Sequence, residues 1–172
     1  AGNEMFVRFG QMPTRGDFDF AVNEPFVADP DLFIPIEHTG THYLLVYCGS
    51  MPAVASYSIQ AEVLPFTVAT VQPAIAGDKG ETTFKIRGAL FNPDTKFELL
   101  TDSNSVPASS LMLDDSTTAY VTFNLANQPQ GYWNLKATMT ETSAVASTLS
   151  NSVLVVSGRG PKVEVAIDGP LA

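Results

Sequence analysis

The stretch "TTFKIRGALF" (82–91) decides how the rest of the chain reads. Phe84 and Ile86 alternate with Thr83, Lys85 and Arg87, the period of a half-buried strand. Gly88 then interrupts the alternation, and Phe91 follows three residues later. A glycine there permits a bulge or the close approach of a neighbouring backbone. The aromatic ring beyond it is placed to fill space between sheets. The stretch is a signature of architecture rather than a binding loop, and a side chain added at position 88 is expected to cost stability.

Working outward, the same period-two pattern recurs along the chain, and no convincing helical stripe interrupts it. "MFVRFG" (5–10) sets Met5, Val7 and Phe9 on one face. "DLFIPIE" (31–37) aligns Leu32, Ile34 and Ile36, with Pro35 marking an edge or a strand end. "THYLLVYCG" (41–49) is apolar on both faces and reads as buried on both. "SYSIQAEV" (56–63) alternates cleanly between Tyr57, Ile59, Ala61, Val63 and four polar residues.

After a short junction, "LPF" (64–66), strands restart with "FTVATV", "TTFKIRG", "KFELL", "AYVTFNL", "YWNLKATM" and "NSVLVV". Turn chemistry separates them at "NPDT" (92–95), "LDDST" (113–117) and "NQPQG" (127–131). The reading is all-β, with two consecutive β-sandwich modules over 1–64 and 65–157. Residues 158–172 then hold a linker, "SGRGP" (157–161) at its start, and a terminal alternating strand. That strand is either the beginning of a next domain or a strand donated elsewhere.

Composition narrows the function classes. Of 172 residues, 45% are hydrophobic, enough for a folded core. Charged residues make up 16%, below the usual ~25%. Eighteen acidic residues against nine basic ones give a net charge of −9, and the basic residues are scattered. Such a surface disfavours nucleic acid and anionic membranes as partners. No apolar run approaches the ~20 residues of a membrane span. The first residue is not Met and no leader pattern is present, which points to a processed product or a piece of something longer.

Two resemblances sharpen the outline. Residues 4–62 resemble the bacterial pre-peptidase C-terminal (PPC) domain through "EMFVRFGQMPT", "DFDF", "DLFIPIEHTGTHYLLVYCG" and "ASYSIQAE". The family's strand, Gly-x-x-Pro-Thr turn, Gly-Thr-Tyr-Tyr-like strand and Tyr-x-Leu strand fall on Glu4–Val7, Gly10–Thr14, Gly40–Leu44 and Tyr57–Ile59. The resemblance implies a jelly-roll-like sandwich attached to secreted proteins, whose first strands lie before the point where this chain opens. It also implies substrate or matrix binding, or help with secretion. It further implies that the calcium of relatives is held by an N-terminal segment preceding the part matched here, so calcium is not expected to carry over.

Residues 66–156 look like an immunoglobulin-like module of the IPT/TIG type. The resemblance rests on "VQPAIAGDKGE" (71–81), then Thr83, Ile86, Gly88 and Phe91, a "DST" turn, and "GYWNL" (131–135). "GDKGETT" stands where a doubled glycine is common, so no ligand of that family carries over. Together the two resemblances imply pieces of very long bacterial surface or secreted proteins.

Candidate sites are few. Cys48 is the single cysteine, so no intrachain disulfide forms, and it reads as a strand hydrophobe. His38 and His42 in "EHTGTH" lie ~13 Å apart if extended, too far to share a metal. No nucleophile elbow, phosphate loop or paired catalytic carboxylate motif is present, and no enzymatic activity is expected. Asp17, Asp19, Asp29 and Asp31 carry the hard oxygens that Ca²⁺ takes, yet their spacing matches no defined calcium loop. Solvated turn acids are the plainer reading, and no other cofactor is indicated.

"RGD" (15–17) sits in a predicted loop and is a tripeptide that can act as an adhesion ligand, but three residues also recur by chance. Trp133 reads as core with Leu135 and Ala137, leaving Tyr120 and Tyr132 outward. In "KVEVAID" (162–168), Val163, Val165 and Ile167 form the face of a strand that can complete another module's sheet. The expected function is a structural or adhesive module of a secreted or cell-surface protein. Its partners would be neighbouring domains or copies, with strand exchange as one means of assembly. The alternative is an accessory module binding an extracellular protein or glycan polymer.

Overall fold

The computed structural model describes residues 3–23, 27, 29–35, 39–49, 56–139 and 145–158. Every regular element among them is a β-strand, and the chain divides into two compact units, Ala1–Val63 and Leu64–Ala172. The predicted strand at Val163, Val165 and Ile167 lies outside the described residues, as do Ile36 and His38.

Unit 1 contains a three-stranded antiparallel sheet in the order β2-β1-β3. Its strands are β1 (Asn3–Phe9), β2 (Phe20–Val22) and β3 (His42–Cys48). β1 lies in the middle, so both its edges are paired. Phe6 is buried on one side and Val7 on the other, and the Phe6 and Phe18 rings stand 5.2 Å apart. Met5 and Phe9, expected to share Val7's buried face, are only half-buried.

Three predictions in this unit are corrected. β3 is not buried on both faces: Tyr43, Leu44 and Tyr47 are exposed. The strand pairs with β1 alone among the described residues, so it is an edge, and its apolar run lacks a second covering layer there. Neither 31–35 nor 56–63 forms a strand. Pro30 and Pro35 bracket the first segment and remove ladder donors from it. The second finds no partner strand among the described residues, which leaves Tyr57 79% and Val63 83% exposed. Alternation alone does not hold a strand that has nothing to pair with.

Unit 2 is a two-sheet sandwich built from β4 (Thr67–Gln72), β5 (Ile75–Gly77), β6 (Glu81–Ala89), β7 (Lys96–Leu100), β8 (Ser105–Pro107), β9 (Ser110–Asp115), β10 (Thr118–Asn124), β11 (Gly131–Met139) and β12 (Val145–Val156). One sheet runs β4-β6-β10-β9 and the other β5-β12-β11-β7-β8. Read as A-B-E-D against G-F-C, with a short strand added on each side, this is the strand order of the immunoglobulin fold. The inward rows are those the alternation named. Phe84, Ile86, Ala119, Val121, Phe123, Leu125, Trp133, Leu135 and Ala137 are all fully buried.

β4 reaches the core with Val68 and Val71, three residues apart rather than two. A bulge between Val68 and Thr70 accounts for the offset, since one extra residue resets the pleat. Gly88 faces Val68 across that bulge. A Cβ on Gly88 would overlap the Thr67 carbonyl and stand 2.6 Å from Cζ of Phe91. The glycine lets two backbones close over the edge of the core, and Phe91 caps the gap. Phe66, Phe91 and Phe97 then continue edge-on at 6.2 and 5.3 Å.

The module has two distinct ends. Thr67 begins β4 opposite Ala89, at the end where β12 also begins, and the Val68 N–H donates to Ser147 Oγ at 2.9 Å. β5 pairs in parallel with the last residues of β12, Ile75 with Leu154 and Gly77 with Val156, at the far end. The chain therefore comes in at one end and leaves at the other.

Candidate functional site

Asp17 and Asp19 of unit 1 lie on a loop that folds back on β1. Thr14 and Asp17 exchange backbone hydrogen bonds of 2.9 and 3.4 Å, closing a tight turn over Arg15 and Gly16. Inside this turn the charges pair internally. Arg8 Nη1 donates to Asp17 Oδ2. Arg15 grips Glu4 through two hydrogen bonds, 2.8 and 2.9 Å, and lies 4.3 Å from the Tyr47 ring centroid. The Glu4 carboxylate raises the Arg15 pKa above its ordinary value. Asp19 Oδ2 accepts the Phe9 N–H at 2.8 Å, fixing the return of the chain.

This geometry bears on two of the sequence readings. The Arg15-Gly16-Asp17 tripeptide has both charged side chains engaged within the unit. Asp17 and Asp19 serve as acceptors for Arg8 and the β1 backbone, while Asp29 and Asp31 are exposed on a separate segment. Among the described residues, no group of three or more His, Cys, Asp or Glu side chains is placed to hold a metal ion.

A shallow cleft of about 380 Å³ lies beside this loop, lined by Arg8, Phe9, Gln11, Asp19, Phe20, Pro35 and His42. His42 stands edge-on to Phe9 at 5.1 Å; with the Gln11 amide turned so that its oxygen faces Arg8, that oxygen accepts from Arg8 Nε at 3.0 Å. The lining offers a carboxylate, an imidazole and a guanidinium for contact with a polar group. Among the described residues that line it there is no Ser, Cys or Lys nucleophile beside the imidazole.

Unit 2 holds a second cluster, which the sequence reading missed. Asp78 follows β5 and is only 8% exposed. Its Oδ1 accepts the Gly158 N–H at 2.9 Å, and its Oδ2 accepts from Gln130 Nε2 at 3.2 Å. Its backbone N–H donates to the Val156 carbonyl at 3.0 Å, and its own carbonyl accepts from Asn127 at 3.1 Å. One residue thus ties the end of β12 to β5 and to the β10–β11 loop. The Gly158 hydrogen bond holds the Asp78 pKa below the ordinary carboxylate value, against desolvation, with Gln130 and Lys79 adding to the effect. "AGDKG" offered no periodic signal for this role; the only cue was an acid between glycines in a turn.

The aromatic assignments hold. Trp133 is fully buried and its Nε1 donates to the Pro129 carbonyl at 3.1 Å, while Tyr132 is 63% exposed. Tyr120 lies outward, with Lys85 Nζ 5.9 Å from its ring centroid.

No protein-family model matches the chain, and no curated protein matches it in sequence.

Proposed function

We propose that the chain is a non-catalytic structural or adhesive segment of a secreted or cell-surface bacterial protein, with neighbouring domains or copies as its partners. The observation that carries the reading is the chain path through unit 2. A fully packed sandwich receives the backbone at Thr67 and releases it past Gly158 at the opposite end. Side-chain hydrogen bonds from Ser147 and Asp78 fasten the backbone at the two ends. That arrangement suits a connector, which must fix the direction in which its neighbours continue. The resemblance of 4–62 to PPC domains and of 66–156 to IPT/TIG modules points the same way. Strand exchange through Val163, Val165 and Ile167 belongs to the same proposal, and β3 offers an edge that could accept such a strand.

The second reading, a module binding a protein or glycan polymer, draws on the exposed Tyr43 and Tyr47 of β3 and on Tyr57. Flat aromatic surfaces of this kind stack on sugar and proline rings. Pull-down of the full chain on insoluble glycan and protein polymers, with and without Ca²⁺, separates the two. A connector stays in solution; saturable, specific retention would replace this reading with the second.

A further inference from the structure

Residues 56–63 carry the clean alternation of "SYSIQAEV" and yet form no strand. All eight are exposed, with Tyr57, Ile59 and Val63 at 79%, 52% and 83%. No backbone hydrogen bond engages the segment among the described residues, and its side-chain bond is local, Gln60 to Glu62 at 3.5 Å. Consecutive N–H and C=O groups are thus left without protein partners, beside apolar side chains that gain by leaving water. A segment of this kind folds onto an open sheet edge, where the backbone supplies affinity and alternate side chains supply register.

β3 is such an edge. It pairs with β1 alone among the described residues, in an unbroken register from His42 to Cys48. Sheet edges are ordinarily guarded against pairing by lysine, proline or a bulge. "HYLLVYC" has no lysine and no proline, and its pairing has no bulge. Residues 56–63 are equally unguarded: they include no proline or glycine, and Glu62 is their only charge. Two copies that each carry a net charge of −9 can meet here with little local repulsion.

The faces of the two segments also match. Tyr43 and Tyr47 lie opposite Arg8 and Glu4 on one face of the sheet, where Arg15 covers the Tyr47 ring. The row of Ser56, Ser58, Gln60 and Glu62 extends this polar side. Leu44 and Val46 lie opposite Val7 and Met5 on the other face, with Val7 buried and Leu44 exposed. The row of Tyr57, Ile59, Ala61 and Val63 extends that apolar side and covers Leu44.

We propose that residues 56–63 of one copy add to the outer edge of β3 in a second copy, reciprocally, closing a symmetric dimer through unit 1. The pairing rests on the reading above that copies of this chain are partners, and it names the surface they use. The segment's own β3 is not its acceptor: only 49–55 separate the two in sequence, and 56–63 remain unpaired.

The test is analytical ultracentrifugation of the full chain over a range of concentrations, under reducing conditions so that Cys48 links no copies. Hydrogen exchange of the same samples is read by mass spectrometry. A dimer is expected, with the amides of 42–48 and 56–63 gaining protection together as concentration rises. An added strand donates from alternate residues, so one of Ser58→Pro and Ile59→Pro removes a ladder donor, in a segment with no pairing to lose in the monomer. That variant should raise the dissociation constant at least about tenfold. Leu44→Lys, which charges the accepting edge, should do the same. Val165→Pro, in the terminal segment, should leave the dimer unchanged. If Leu44→Lys does not fold, the two prolines decide. A dimer that survives both prolines overturns the pairing, and so does one that Val165→Pro dissolves. Protection of 56–63 already complete in the monomer would show pairing with its own β3 and overturns it too. A chain that stays monomeric and is not retained on polymers sinks the pairing and leaves a connector between neighbouring domains standing.

Discussion

Phe91 lies over Gly88 with its Cζ 2.6 Å from where a Cβ on that glycine would stand, and the two share one anchor in the neighbouring turn. The Gly88 N–H donates to the Thr117 carbonyl at 2.9 Å, and the Phe91 N–H to the Ser116 carbonyl at 2.8 Å. The glycine, the ring and the turn at 115–117, separate in sequence, are therefore one packing unit. Gly88→Ala forces the Thr67 backbone and the Phe91 ring outward together, with an expected loss of about 1–3 kcal/mol, and Gly88→Val more. Urea denaturation measures it; an unchanged midpoint would contradict the close approach.

The turn in that unit is held by Asp115, whose Oδ1 accepts the Thr117 N–H at 2.6 Å and the Thr117 hydroxyl at 2.7 Å. Asp115→Ala leaves the N–H of the buried Thr117 without this acceptor. The expected cost is about 1 kcal/mol, read as a lower urea midpoint with an unchanged slope. Asp115→Asn, which keeps the acceptor oxygen, should recover most of it.

How much of this was legible beforehand follows from where the chemistry is local. Ala119 to Leu125 and Trp133 to Ala137 were readable because each row alternates within one strand that is covered on its inner face. β2, β5 and β8 were missed because three residues carry no period. β9 was missed because "LDDST" (113–117) reads as a turn, whereas the strand runs to Asp115 and only 116–117 turn. β12 was read only from Asn151, since "VASTLS" shows mostly Ser, Thr and small residues to both faces. A bulge near Asn151, φ +50°, lies where the β11–β12 register shifts, and the Asn134 side chain accepts the Asn151 N–H at 2.8 Å. The "SYSIQAEV" error runs the other way: a strand period is a local property, whereas a strand needs a partner. Asp78 was illegible because its partners at 127, 130, 156 and 158 are distant in sequence.

Leu90 is one of the two residues between Gly88 and Phe91 that the motif leaves unspecified, and it adopts φ +62° while 53% exposed. That left-handed conformation costs most side chains ~1–2 kcal/mol, and asparagine tolerates it better. Leu90→Asn should therefore raise the melting temperature, a small increase that differential scanning calorimetry resolves. A decrease would mean that the partly covered Leu90 side chain contributes more than its backbone strain removes.

Acid acts on the Asp78 tie with a definite sign. Its folded pKa is depressed below its unfolded value, near 3.9 for a free aspartate. The stabilisation is therefore complete above the unfolded value and disappears as pH falls through the folded one. Between pH 6 and pH 2 the wild-type melting temperature should fall more than that of Asp78→Asn. Parallel curves for the two proteins would contradict the depressed pKa. Amide exchange at Gly158 should accelerate over the same range, beyond what the intrinsic pH dependence of exchange gives.

The central claim is that unit 2 conducts the chain straight through, from Thr67 at one end to Gly158 at the other. Spin labels on Pro65→Cys and Ser157→Cys, in a Cys48→Ser background, measure that path directly by dipolar spectroscopy on the full chain. Sandwich strands rise ~3.3 Å per residue, and β12 alone spans the module, so a separation of roughly 40 Å is expected. A single distance distribution centred below ~20 Å would place both ends of the path together, and the connector account would fail.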